Sequence, residues 1–418
     1  MSTETASLPP VQDPLQILLT GTFDVRNYGD LLFPLLAAQR LAPFGIEVTA
    51  CSPSGVATGW ADTMPPLPVS ALMQPPFPLK GILVGGGNIV HARDSRLTDY
   101  KLGDLSSWAY AALWLGASIA GAVHNVPVAW NAPGVPNPLP DRLRDHVLIQ
   151  QLAEAADYVA VRDAASRANL GRAAPLARIV PDTAAALAAL WPRRSLEADF
   201  AALVERKAMP REARFMTVHV KARSVTTSLP QLATEIEAFA AARGLVPILL
   251  ALAPCHDDDA TARHLGRFMT GPRIVADDTR GLREIAGAIA HAELHLGSSM
   301  HGYVTAAAYD VPSVLVARPA LAKFEGFLGH IGRDADRVAD WSHAFPRAAE
   351  QLAAPSDAPL IPAAVLAALD DHWAQVAQAL LHPPRTMVER ARFLRSFVRC
   401  SVERDGWGPT LHSQLDAS

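Results

Sequence analysis

A chain of 418 residues, 50% of them hydrophobic, is long enough for two globular domains and too apolar to stay unfolded. With 37 basic against 41 acidic residues and a formal charge of −4, no global field draws it to nucleic acid, so an anion would need a local basic cleft. Its three cysteines, Cys51, Cys255 and Cys400, stand far apart without metal-ligand spacing, which argues against a disulfide framework or zinc site and for a reducing cytoplasm.

Residues 1–14, with Pro9, Pro10 and Pro14, lack the basic start and apolar core of a secretory signal and read as a tail. A strand over 16–21 leads through the polar loop Asn27-Tyr28-Gly29-Asp30 into a helix from Leu31 to about Leu41. Asp30 is its candidate N-cap, and Pro34 is expected in the first turn, where no intrahelical N–H is needed. A second strand covers 47–50, and a proline-rich surface connection runs over 65–78. The strand over 81–84 then enters Gly85-Gly86-Gly87-Asn88. Those glycines let backbone approach a ligand or simply pack tightly, and they are not the GxGxxG dinucleotide fingerprint.

The uncharged run over 106–123 is long enough for a membrane helix, but its Gly, Ser and Ala content and the strand beginning near Pro127 favour a buried helix. A strand over 126–131 exits through Ala132-Pro133-Gly134-Val135. The strand expected over 157–163 delivers Arg162 to the C-terminal sheet edge, where open α/β sheets bind ligands; an ion pair with Asp163 is the plainer alternative. Residues 179–183 repeat the pattern and place Asp182 at another strand exit.

A charged helical connection over 192–214 precedes a strand over 215–221, whose cationic end, Lys221, is followed by Arg223. A helix over 229–243 and a strand over 246–252 lead to Pro254-Cys255-His256-Asp257-Asp258-Asp259, read as solvated loop acids in preference to a metal site. After a strand over 273–276 and a helix over 282–292 comes the most informative stretch, a strand running into Gly297-Ser298-Ser299-Met300-His301-Gly302. A helix starting near Ser299 would set hydroxyls, an imidazole and free N–H groups at a positive helix end, a natural anion site. The plainer reading makes both serines helix caps and His301 a hydrogen-bonded core residue. Beyond a strand to Val316 the pattern loosens through Lys323-Phe324-Glu325-Gly326. It ends in helices over 362–381 and 385–400, the second with an arginine-rich face suited to solvent or to a membrane surface.

Taken in order, Asn27-Tyr28-Gly29-Asp30, Gly85-Gly86-Gly87, Val161-Arg162-Asp163 with Ser166, Pro181-Asp182, Ser298-Ser299-Met300-His301-Gly302 and Val311-Pro312 resemble the polysaccharide pyruvyl transferase family over roughly residues 16–330. The resemblance implies an α/β fold of two Rossmann-like domains facing a cleft, GT-B-like, over 15–190 and 210–345, with C-terminal helices over 355–405 packing back on the first. It implies transfer of a pyruvyl group from phosphoenolpyruvate to sugar hydroxyls as a ketal, in the biosynthesis of cell-wall polysaccharide or exopolysaccharide. Phosphoenolpyruvate is then the donor substrate, and no cofactor or metal is called for. The acceptor is a saccharide or a lipid- or nucleotide-linked sugar, handled in the cytoplasm or at the inner membrane surface by peripheral association.

The resemblance makes His301 the motif histidine and Arg162 the arginine that holds the anionic donor, and His301 and Asp30 are the expected catalytic residues. Arg162, Ser298, Ser299, Lys221, Arg223, Asn27, Gly86, Gly87, Asn88 and Lys323 are the expected substrate contacts. The chain departs from the family at one informative position, since many members carry arginine two residues before the histidine and this one has Ser299. A hydroxyl gives one uncharged hydrogen bond where a guanidinium gives a charged, bidentate one. Another cation must then enter the site, with Lys221 or Arg223 expected first and Lys323 in reserve. Two alternatives stay open. One is a GT-B-type glycosyltransferase using a nucleotide sugar, with Glu325 on the ribose; the other is a non-catalytic relative that binds a glycan or an anion.

Overall fold

Strands buried on both faces read as unbroken apolar runs, and those of this chain pair in parallel throughout. The computed structural model describes residues 14–354 and 358–407. All but the last residue of the expected N-terminal tail lie outside this range, as does the start of the expected C-terminal segment at 355–357. In the first domain, β1 (Leu15–Thr20), β2 (Ile46–Ser52), β3 (Leu67–Pro68), β4 (Gly81–Val84) and β5 (Val128–Trp130) form a sheet in the order β3-β2-β1-β4-β5. At its margin β6 (Ala160–Val161) pairs with β7 (Arg178–Ile179), tied to the sheet by a bridge between Ala129 and Tyr158. The longer strand expected over 157–163 contracts to β6, because Asp163 turns its carboxylate to cap the next helix.

The second domain is built from β8 (Arg214–His219), β9 (Leu245–Leu250), β10 (Ile274–Ala276), β11 (Leu294–Gly297), β12 (Ser313–Val316) and β13 (Arg337–Val338), in the order β10-β9-β8-β11-β12-β13. Each sheet therefore reverses direction once beside its first strand, between β1 and β4 and between β8 and β11. Loops at such switch points are where doubly wound sheets bind ligands.

The first helix differs from expectation. It starts at Tyr28 with Asn27 as N-cap, so Asp30 lies in the first turn and Pro34 falls inside the helix. The uncharged run over 106–123 folds as Ala109–Ala111, a π turn at Ala112–Gly116 and the helix Ala117–His124, with Leu113 and Trp114 buried. Among the described residues no helix is long and apolar enough to cross a membrane.

The C-terminal helices Ala363–Leu381 and Met387–Asp405 return to the first domain. Phe393 is wholly buried among its leucines, while Arg390 donates to Asp157 at 3.0 Å and Asn125 at 3.0 Å. His372 stands between the Tyr158 hydroxyl at 2.9 Å and the Asn131 amide oxygen at 3.0 Å. The domains also touch directly: the Tyr28 hydroxyl meets Thr305 Oγ1 at 3.0 Å, and the His330 ring meets the Arg162 carbonyl at 3.0 Å.

Candidate active site

The loops leaving the two switch points converge on one cavity of about 290 Å³ between the domains. That lies at the lower bound of the roughly 300–1,000 Å³ usual for small-molecule sites, a size for a compact ligand. The first domain contributes Thr22, Asn27, Asp30, Asn88 and Arg162, and the second contributes Lys221, Arg223, His256, Ser299, His301 and Lys323.

His301 follows the N-cap Ser299 of the helix Met300–Ala308, whose free N–H groups open on the cavity side. The Ser299 side chain makes no capping bond, which leaves its hydroxyl for a ligand. The imidazole is held edge-on to Phe33, with ring centroids 5.6 Å apart. It lies so close over Gly29 that a Cβ there would come within 1.7 Å of Nδ1. Nε2 is buried and faces Asp182 Oδ2 at 3.6 Å, just beyond hydrogen-bond length, and neither atom has a hydrogen bond among the described residues. Nδ1 lies on the Gly29 side of the ring.

The same Asp182 oxygen lies 3.7 Å from Arg162 Nη1, so one carboxylate from the first domain links the arginine of its own domain to the histidine of the other. Burial alone would raise the Asp182 carboxyl; His301, Arg162 and the Ala184 N–H outweigh it and hold the group below the usual carboxylate range. Arg162 also faces Asp163 at 3.6 Å and donates to Asn88 Oδ1. Two buried carboxylates thus already meet its charge.

The cations free of carboxylates come from the second domain. Lys221, Arg223 and Lys323 line the cavity, and among the described residues none has an ion pair. Burial pushes the Lys323 ammonium down to about 7, aided by the neighbouring Lys221 and Arg162. Burial also lowers Lys221, with Asp258 opposing and Arg223 assisting. Beneath them Asp258 is fixed by His219 at 2.8 Å and by the Ala253 N–H at 2.9 Å. An anion entering here would relieve the repulsion among these cations.

The model of the family described as polysaccharide pyruvyl transferase matches residues 27–319. The chain belongs to that family. No curated protein matches it. Among solved structures, it is similar to the UDP-GlcNAc 2-epimerase of Methanocaldococcus jannaschii, at 12% identity and TM-score 0.52, over 87% of this chain and 99% of that one. The UDP-GlcNAc 2-epimerase of Neisseria meningitidis resembles it at 10% identity and TM-score 0.50, again over 87% and 99% of the two chains. These likenesses show the fold alone.

Nine of the positions expected from the sequence line the cavity: Asn27, Asp30, Asn88, Arg162, Lys221, Arg223, Ser299, His301 and Lys323. Three do not. Ser298 turns its hydroxyl away to accept the Lys221 N–H at 2.8 Å, joining the loops after β8 and β11. Gly86 and Gly87 lie behind the wall, where a Cβ would come within 2.5 Å of the Phe33 ring and 2.8 Å of Asp30 Oδ1. Their lack of a side chain lets those residues close in.

Asp30 accepts from Thr22 Oγ1 at 2.8 Å and Asn27 Nδ2 at 2.8 Å, so one of its oxygens is committed to holding the loop after β1. Glu325, the ribose contact of the glycosyltransferase alternative, is exposed on the helix Ala322–Ile331 and pairs with Arg337 at 2.7 Å instead of reaching the cavity. Asp182, Thr22 and His256 were not among the expected contacts. Its strand-exit position and its place in the Pro181-Asp182 segment of the family resemblance were the signals for Asp182, and His256 hid in what read as a solvated acidic loop.

Proposed function

We propose that this member of the family transfers the pyruvyl group of phosphoenolpyruvate to two hydroxyls of a saccharide, forming a ketal and inorganic phosphate. The observation that carries the reading is the meeting of three cations without carboxylate partners, a helix N-terminus and His301 in one small cavity. Phosphoenolpyruvate brings a phosphate and a carboxylate, and this is a receptor for two anionic groups on a compact body.

The chemistry needs protons moved at defined atoms. The donor methylene gains one proton and becomes methyl, the central carbon gains cationic character, and one acceptor hydroxyl adds. The carbon–oxygen bond to phosphate then breaks with its electron pair leaving on phosphate, and the second hydroxyl closes the ketal. Of the two hydroxyl protons, one balances the new methyl C–H and one leaves with phosphate. His301 Nδ1, with Asp182 behind Nε2, is the group suited to take a hydroxyl proton, and Asp182 stabilises the imidazolium that results. Lys221, Arg223 and Lys323 hold the donor's charges and favour departure of phosphate.

The acceptor is a lipid- or nucleotide-linked sugar or a short glycan, and the work belongs to cell-surface polysaccharide synthesis in the cytoplasm or at the inner membrane surface. Release of phosphate from phosphoenolpyruvate in the presence of a panel of glycans and sugar diphosphates tests the reading. Phosphate release that depends on one acceptor class supports it, and none with any acceptor contradicts it.

Lys323 supplies a pH test. Its ammonium is charged below about 7 and neutral above, so the Michaelis constant for phosphoenolpyruvate is expected to rise with pH through neutrality. One linked proton sets the limit at about tenfold per pH unit. In the Lys323→Arg variant, which stays charged, that rise should flatten; an unchanged profile would remove Lys323 from donor binding. In the free protein the sign for stability is opposite. The unfolded chain binds this proton more tightly, so the Lys323 contribution to stability grows as pH rises above about 7.

A further inference from the structure

Beside the donor cavity lies a second one of about 750 Å³, at the C-terminal edge of the second sheet. Arg223 reaches it from the turn after β8, Arg318 from the loop after β12, and Arg337 from β13, paired in register with Leu315. The remaining wall is Ala317, Pro319, Ala320, Val338 and Ala339, so the lining holds three arginines and no acidic residue. Among the described residues Arg223 and Arg318 have no ion pair, and Arg337 has one, to the exposed Glu325. Arg223 also lines the donor cavity, which makes the two spaces neighbours across a single side chain.

We propose that this arginine pocket binds the diphosphate of a linked acceptor sugar, with the sugar directed past Arg223 into the donor cavity. The inference rests on the pyruvyl transfer reading and names its acceptor class. Phosphoenolpyruvate's two anionic groups are met within the smaller cavity by Lys221, Lys323 and the helix N-terminus at Ser299, which leaves Arg318 and Arg337 in surplus. Arginine forks match phosphate oxygens bidentately, and Arg318 and Arg337, with Arg223 shared at the boundary, suit a diphosphate better than one carboxylate or a neutral glycan. Nucleoside diphosphate sugars and lipid diphosphate sugars share this chemistry.

The test is calorimetric titration of the full chain, in the presence of phosphoenolpyruvate, with inorganic pyrophosphate, UDP and farnesyl diphosphate in detergent. The wild type should bind pyrophosphate, and Arg318→Ala combined with Arg337→Ala should weaken it at least about tenfold. Both side chains are exposed, so the double variant should keep the wild-type melting temperature and its affinity for phosphoenolpyruvate. Tighter binding of UDP assigns a nucleotide-linked acceptor, and tighter binding of farnesyl diphosphate a lipid-linked one. Equal pyrophosphate binding by wild type and variant, or none by the wild type, overturns the pocket's assignment while leaving the donor reading intact. Arginine-dependent pyrophosphate binding with no binding of phosphoenolpyruvate has the reverse meaning: the diphosphate site stands and the donor reading falls.

Discussion

His301→Ala is expected to lower turnover by roughly two to four orders of magnitude, the span for loss of a positioned proton-transfer group, with the melting temperature little changed. The fold should tolerate the change because Nε2 has no hydrogen bond to lose and Asp182 keeps Arg162 and the Ala184 N–H. A companion variant separates position from presence. At Gly29 a methyl group would fall 1.7 Å from Nδ1, so Gly29→Ala must push the imidazole aside while the helix gains a better helix former. A comparable loss of turnover is expected, checked by phosphate release beside a thermal melt. Wild-type turnover in Gly29→Ala would mean that the placement of the ring over that glycine carries no catalytic weight.

Arg162→Ala should show the largest loss of stability. The Arg162, Asp163 and Asp182 side chains are at most 4% exposed, and the guanidinium lies 3.6 Å and 3.7 Å from the two carboxylates. Removing it strands two buried negative charges, a situation that costs about 3–5 kcal/mol. At about 2–4 °C per kcal/mol for domains of this size, the melting temperature should fall by roughly 6–20 °C. Adding Asp182→Asn should return part of that loss, because it removes one stranded charge. A single variant that melts with the wild type would show that water already compensates these carboxylates. A loss on this scale would make Arg162 first the brace of the Asp182 and His301 pair.

The fold class was legible because buried parallel strands such as 17–20, 81–84 and 294–297 read as apolar runs, and because each strand exit carries its polar residues in order. Chemistry at strand exits was legible for the same reason, so positions such as Asn88, Lys221 and His301 could be picked out before the fold was in view. What could not be read was which neighbour each side chain meets. Ser298 and Ser299 are equivalent in sequence, yet one bonds the Lys221 N–H and the other faces the cavity. Asp182 acquires its role only when the second domain brings His301 against it. For Arg162 an ion pair with Asp163 could be weighed from sequence, but not the one with Asp182, which reaches it from another loop. The short β6 was overextended in sequence because its apolar run begins at Tyr158, before pairing with β7 starts at Ala160, and because Asp163 beyond it caps the next helix.

The central claim is that cations from the second domain make this cleft a phosphoenolpyruvate site despite serine where many relatives carry arginine. Calorimetric titration of phosphoenolpyruvate into the wild type and into Lys221→Ala tests it most directly. One donor molecule should bind per chain, and loss of the Lys221 charge should weaken it by about 1.5–3 kcal/mol without lowering the melting temperature. No binding by the wild type, or equal affinity in the two proteins, would contradict the account.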